Sequence, residues 1–167
     1  PLNASERKHR NGNVPYYGAT GQVGTIDKSL FDEPLILLGE DGVQFFDANK
    51  PKAYSISGPS WVNNHAHVLR PKSDLVDFRF LLHYLNIFDY HGYANGTTRL
   101  KLTQGAMNSI PVQLPPLEEQ HQIVERLDEV LSRLDSTKVS ITQEKFSIQI
   151  LRRSLLNLAF NGKLGTN

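Results

Sequence analysis

The stretch Ile110-Pro111-Val112-Gln113-Leu114-Pro115-Pro116-Leu117-Glu118-Glu119-Gln120 divides the chain into two parts of different character. Pro111, Pro115 and Pro116 cannot sit inside a helix, and each biases the residue before it towards extended backbone. The run therefore reads as an extended hinge. Pro116 suits the first turn of a helix, where its missing N–H is no loss. From Leu117 to Phe160 there is neither Gly nor Pro, and Asn161-Gly162 supplies a helix stop. A helix of about 44 residues rises on the order of 66 Å, far more than a small domain is wide. The predicted division is residues 1–114 as a globular domain and residues 115–167 as a long coiled-coil helix, making an α+β chain.

Heptad spacing supports this reading of the helix. With position a at Leu127, Leu134, Ile141, Ile148 and Leu155, position d falls at Ile123, Val130, Thr137, Glu144, Leu151 and Leu158. Only Thr137 and Glu144 interrupt the aliphatic seam. A period of 3.5 residues sustained this long is a coiled-coil pattern, because slight supercoiling keeps the stripe against one partner. A core helix lying on its own domain is the simpler alternative, but it asks for a larger core than this chain can build. Ile123, Leu127, Val130, Leu134, Ile141, Ile148, Leu151, Leu155 and Leu158 are therefore the expected pairing surface. Acidic residues (Glu118, Glu119, Glu125, Asp128, Glu129, Asp135) dominate the first half, and Lys138, Lys145, Arg152 and Arg153 the second. Antiparallel pairing would set acidic ends beside basic ends. The same distribution complements the helix dipole, worth about 0.3–1 kcal/mol per charge, so both explanations stand.

Upstream of the hinge, the turn signals Asn11-Gly12, Asp41-Gly42 and Asn95-Gly96 separate short apolar runs. Strands are predicted at 35–38, 43–46, 53–57 and 65–69. A helix is predicted over 74–90, burying Leu75, Phe78, Leu81, Leu82, Leu85 and Phe88. The 167 residues are 39% hydrophobic and 21% charged, the composition of a folded protein. A net charge of +1 does not by itself announce a nucleic-acid partner. The absence of Cys removes disulfides and thiolate metal sites, and no apolar run approaches the roughly 20 residues that span a bilayer. A cytoplasmic location without membrane contact is expected. Because the chain opens on Pro1 and not on Met, a missing upstream segment is also expected.

The hinge stretch, followed by Ile123-Val124 and a helix ending Ala159-Phe160-Asn161-Gly162-Lys163-Leu164, resembles the specificity subunit of type I restriction-modification systems. Val14-Pro15-Tyr16-Tyr17-Gly18-Ala19-Thr20-Gly21, His65-Ala66-His67-Val68-Leu69-Arg70-Pro71 and Asn95-Gly96-Thr97-Thr98 are similar to one class of that subunit's target-recognition domains. The resemblance implies a non-catalytic chain that reads double-stranded DNA while partner subunits methylate adenine or cut. It assigns S-adenosylmethionine to the methyltransferase partner and no cofactor or metal to this chain. A full family member carries two recognition domains separated by two antiparallel helices, and this chain carries one of each. It is therefore half of such a subunit, either a fragment or a short subunit that pairs with a second copy. The family's recognition domain usually opens with a Trp-bearing strand, which is not found here ahead of the Tyr-Gly motif.

Candidate DNA contacts come from loops rich in Gly, amide and hydroxyl side chains. Asn and Gln match adenine in the major groove, and Arg or Lys match guanine. Tyr17, Thr20 and Gln22 form one group, and Ser60, Trp61, Asn63 and Asn64 another. Thr97, Thr98, Arg99 and Lys101, together with Lys28, complete the expected set. Tyr17 and Trp61 equally suit a core, and Asn95-Gly96 suits a plain hairpin turn. The basic groups Arg7, Lys8, His9 and Arg10, Lys50 and Lys52, Arg70 and Lys72, and Arg99 and Lys101 suit either phosphate contacts or a solvated surface.

Enzymatic readings are weaker. Asn13-Val14-Pro15-Tyr16 differs from the Asn-Pro-Pro-Tyr motif of amino-methyltransferases at Val14, and no glycine-rich cofactor loop follows a strand. His65 and His67 alternate on a strand, where they could bind a metal with Asp41 or Asp47, but two histidines lack a third ligand at fixed spacing. A metal-dependent hydrolase rests on no more than that. The main alternative is a scaffold that dimerises or recruits partners through its helix without touching DNA.

Overall fold

The computed structural model describes Glu6 and residues 9–162 of the chain. It divides between Gln122 and Ile123 into two compact units. The fold is α+β.

The first unit holds two sheets. Strands β1 (Val14–Gly18) and β2 (Gly21–Ile26) form a hairpin around Ala19 and Thr20, with Gly21 at φ 142° closing the turn. A register shift at Tyr16/Tyr17 leaves Val23 as the extra residue of a bulge. After β3 (Phe31–Asp32), β4 (Leu35–Gly39) and β5 (Ala53–Ile56) comes β6 (Pro59–Val62), which runs parallel to β1 and antiparallel to β3. The first sheet has the order β2-β1-β6-β3. In the second, β4 lies between β5 and β7 (Ala66–Leu69), antiparallel to both.

Strand β4 explains where the core lies. Successive strand side chains point to opposite faces, so a strand covered on both sides is apolar throughout. Leu35, Ile36, Leu37, Leu38 and Gly39 are all buried. Ile36 and Leu38 pack with Phe45, Leu85, Tyr90 and Leu102, whereas Leu35 and Leu37 pack with Ile56, Val62 and Ala66. Gly39 is required by close approach: an added Cβ would lie 2.1 Å from Val43 Cγ2 and 2.9 Å from the Ala19 carbonyl oxygen. Gly39→Ala is expected to cost about 1–3 kcal/mol by overpacking. Denaturant unfolding measures this, and an unchanged midpoint would show that the neighbours part freely.

The strand predicted at 43–46 is a turn. Val43 and Phe45 are buried and Gln44 and Phe46 exposed, which imitates strand alternation. Both edges of β4 are already taken by β5 and β7, and residues 43–46 form no ladder. The other predicted strands are present as β4, β5 and β7. Strands β2 and β3 escaped the sequence reading because β2 is mostly exposed and β3 has only two residues, whereas Pro15 and Gly18 in β1 and Gly58-Pro59 at the start of β6 read as loop.

Helix α1 (Phe78–Ile87) is shorter than the predicted 74–90. Asp77 caps it, its Oδ1 accepting from the Arg79 and Phe80 N–H groups at 2.8 Å each. Leu75 consequently lies before the helix, 56% exposed, instead of on its buried face. A five-residue helix, α2 (Gln104–Asn108), precedes the hinge, where the Tyr84 hydroxyl donates to the Pro111 carbonyl.

Helix α3 (Leu117–Phe160) spans 44 residues without a break. Gln120, in its first turn, is fully buried. Its Oε1 accepts from the Asp77 N–H at 2.8 Å, and its Nε2 donates to the carbonyls of Leu75 at 3.1 Å and Pro115 at 2.8 Å. One side chain thus joins the hinge, the first turn of α3 and the start of α1. From residue 131 to residue 160 every position of α3 is exposed. No helix among the described residues is long and apolar enough to cross a membrane.

Candidate nucleic-acid interface

One end of the first unit gathers four loop segments. The Ala19 carbonyl beside Gly39 puts the β1–β2 turn against the end of β4. Because β1 and β6 are parallel, the segment after β6 leaves at the same end, with the Asn63 N–H donating to the Tyr17 carbonyl at 2.9 Å. The Glu40 N–H donates to the His65 carbonyl at 2.8 Å, the Gly42 N–H to Leu100 at 3.1 Å and the Leu102 N–H to Glu40 at 2.7 Å. Residues 40–42 are thereby tied to the loop 95–101, which reciprocal bonds between Asn95 and Lys101 close at 3.0 and 2.8 Å.

The side chains at this end are polar and mostly exposed. Thr20, Asn64, Thr97 and Thr98 face solvent. Asn63 Oδ1 accepts from the His65 N–H at 2.8 Å, which fixes the turn after β6. Asp41 Oδ1 accepts from Arg99 Nη2 at 2.7 Å, while its Oδ2 lies 3.0 Å from His65 Nδ1. Glu40 accepts from Lys101 Nζ at 2.9 Å, and this bond holds the Lys101 ammonium above its usual pKa. Amides, hydroxyls and a guanidinium displayed together are the groups that read base edges and contact phosphates.

Residues 2–145 match the family model described as the type I restriction modification DNA specificity domain. The chain belongs to that family. A putative type I restriction enzyme specificity subunit of Haemophilus influenzae is 36% identical over 121 residues, covering 71% of this chain and 30% of the relative. The EcoDI type I specificity subunit of Escherichia coli is 27% identical over 154 residues, 92% of this chain and 33% of the relative. The chain thus spans about a third of these relatives' length. A solved chain from work on complex assembly and conformational transition of the type I restriction-modification system has TM-score 0.75 at 20% identity, covering 98% of this chain and 42% of that one. At that identity the likeness is one of fold.

Within this DNA specificity domain, Thr20, Asn63, Asn64, Thr97, Thr98, Arg99 and Lys101 are brought to one end, and Gln22 lies near it, its Nε2 donating to the Gly24 carbonyl at 3.1 Å. Ser60 is removed from the expected set: it is fully buried, and its hydroxyl has no hydrogen-bond partner among the described residues. The stretch around it is a strand paired on both sides, so Ser60 turns inward with Val62. Lys28 lies at the opposite end of the hairpin, just beyond the Val14↔Ile26 pair. Tyr17 packs in the apolar core, with its ring centroid 6.1 Å from that of Tyr54. Burial pushes the Tyr54 phenol up, and its hydroxyl donates to the Gly18 carbonyl at 2.6 Å. Trp61 lies under Arg10, 4.6 Å from the guanidinium carbon to the ring centroid. Arg10 also pairs with Asp27 at 2.6 Å, and its hydrogen bond holds that carboxyl below the usual range.

The basic groups fare unevenly as phosphate contacts. Arg7 and Lys8 lie outside the described residues. Lys52 is buried, its ammonium donating to the Asp47 carbonyl at 2.6 Å, so it is no surface contact. Arg70 pairs with Glu33 at 2.9 Å, while Lys50 and Lys72 are exposed. His67 Nε2 lies 2.8 Å from the Leu102 carbonyl oxygen, which assigns that ring nitrogen the proton. Asp41 meets His65 but Asp47 does not, and among the described residues no three metal-binding side chains converge.

Leu127, Val130, Leu134, Ile141, Ile148, Leu151, Leu155 and Leu158 are exposed along α3, and Ile123 is half-buried. A second apolar row, Val139, Phe146, Ile150 and Phe160, is also exposed. At 100° per residue it falls on the face opposite the seam. The sequence reading missed it by following a single stripe. It also missed Glu40, and gave Asp41 no role beyond a turn signal and a metal ligand. The Glu40-Asp41-Gly42 turn was the available signal.

Proposed function

We propose that the chain reads one half of a split double-stranded DNA target. Residues 1–114 supply the reading end, and residues 115–167 supply the rod that pairs antiparallel with a second helix, from another copy or from further chain. The observation that carries this is the convergence of Thr20, Asn63, Asn64, Arg99 and Lys101 at one loop end in a member of a DNA specificity family. Two readers held at a fixed separation recognise only a site with a fixed gap, and twofold symmetry makes that site palindromic.

The chain itself is non-catalytic in this reading. Methyltransferase and restriction subunits act on the DNA that it selects, and S-adenosylmethionine and the adenine N6 transfer belong to the methyltransferase. The second apolar row of α3 supports partners beyond a single paired helix. The assembly works in the cytoplasm, beside the DNA.

A mobility-shift titration of the chain with its methyltransferase partner, at several salt concentrations, tests the proposal. Selection from a random duplex pool is expected to yield one split sequence bound at least a thousandfold more tightly than scrambled duplex. Equal, weak affinity for all duplexes would instead support a scaffold that recruits partners through its helix.

A further inference from the structure

We propose that Asp41 is a positioning residue for base reading: it aims Arg99 and, with Glu40, cancels the cluster's charge, so that this loop adds discrimination without general attraction to phosphate. The inference rests on the DNA reading above.

Three observations lead to it. First, Asp41 is largely covered, with 16% of its side chain exposed, whereas that of Arg99 is 62% exposed. A held carboxylate thus grips a cation that would otherwise sweep through solvent. Its oxygens are divided between Arg99 Nη2 at 2.7 Å and His65 Nδ1 at 3.0 Å, which limits the directions in which the carboxylate can turn. Second, the backbone is shaped to admit the guanidinium. Gly42 has φ +69°, and a Cβ there would lie 3.2 Å from Arg99 Nε. Third, Arg99 and Lys101 are matched by Asp41 and Glu40, a pairing of two cations with two anions.

A guanidinium has five N–H donors in a rigid fork, and Asp41 engages Nη2, so donors remain for a guanine edge. Orientation in advance reduces the ordering cost on binding. The neighbouring carboxylates repel phosphate, so a duplex that offers Arg99 no matching base gains little from this loop. Specificity built on such a penalty for wrong partners needs the repulsive group as much as the attractive one.

The test uses the chain in complex with its methyltransferase partner, the duplex selected by the wild type, its single-base variants and a scrambled duplex. Fluorescence anisotropy at several salt concentrations gives affinities and salt slopes. Asp41→Asn is expected to weaken binding to the selected duplex about 10- to 100-fold, to leave or strengthen scrambled binding, and to steepen the scrambled-duplex salt slope by up to about 1. Arg99→Lys, which keeps the charge and loses the fork, should lose discrimination at one base position. The double variant should bind the selected duplex no worse than the weaker single variant by more than about twofold, because both act through one contact.

Equal losses on selected and scrambled duplexes with Asp41→Asn would overturn the proposal, as would multiplying losses in the double variant. If Asp41→Asn does not fold, Arg99→Lys and Arg99→Ala decide: unchanged single-base discrimination in both overturns it. A wild type without sequence preference overturns the DNA reading and this proposal together, whereas failure of the variants alone leaves the DNA reading standing.

Discussion

Ile148→Asp is expected to abolish helix pairing by α3, weakening association at least a hundredfold. Ile148 occupies position a in the later half of the seam and is 63% exposed on this chain alone. In a paired rod it enters the layer between helices, where an unpaired carboxylate costs several kcal/mol. A loss of about 3 kcal/mol corresponds to roughly a hundredfold in affinity. Sedimentation of the chain with its partner, or alone if it self-associates, reads the effect. Gln149→Asp adds the same charge one residue away, outside the seam, and should leave assembly intact. Unchanged assembly with Ile148→Asp would refute the seam.

The other large effect is expected at Gln120. Gln120→Met keeps an unbranched side chain of similar length but removes the bonds to the Asp77 N–H and to the carbonyls of Leu75 and Pro115. Each buried group left without a partner costs about 1–3 kcal/mol, and partial relaxation lowers the sum. A net loss of about 3 kcal/mol follows, or roughly 10 °C in Tm for a unit of this size. Asp77 also caps α1 through its carboxylate, so the loss should reach that helix as earlier amide exchange in residues 78–87. A change below about 1 kcal/mol would show that solvent replaces these bonds.

Gln120 illustrates what was and was not legible. It stood in the hinge sequence that carried the family resemblance, yet nothing around it announced a buried amide with partners as far as 45 residues away. Ser60 shows the converse error. Ser57-Gly58-Pro59-Ser60 reads as a loop, because its strand character depends on β1 and β3 lying on either side. Val43 to Phe46 has the alternation of a strand without an open sheet edge to join. Lys52, apparently a surface cation, became buried by donating to a nearby carbonyl.

The sequence by itself determined the hinge, the uninterrupted helix and its apolar stripe, because proline sterics and helical periodicity act between residues that are close along the chain. It also determined the buried central strand, whose unbroken Leu35–Leu38 run is apolar on both faces. Only the tertiary structure decided which loops meet, that Asp41 grips Arg99 across 58 residues, and that Ser60 turns inward. Those outcomes depend on strand order and parallel pairing, which bring distant segments together and leave no local pattern in the residues they join.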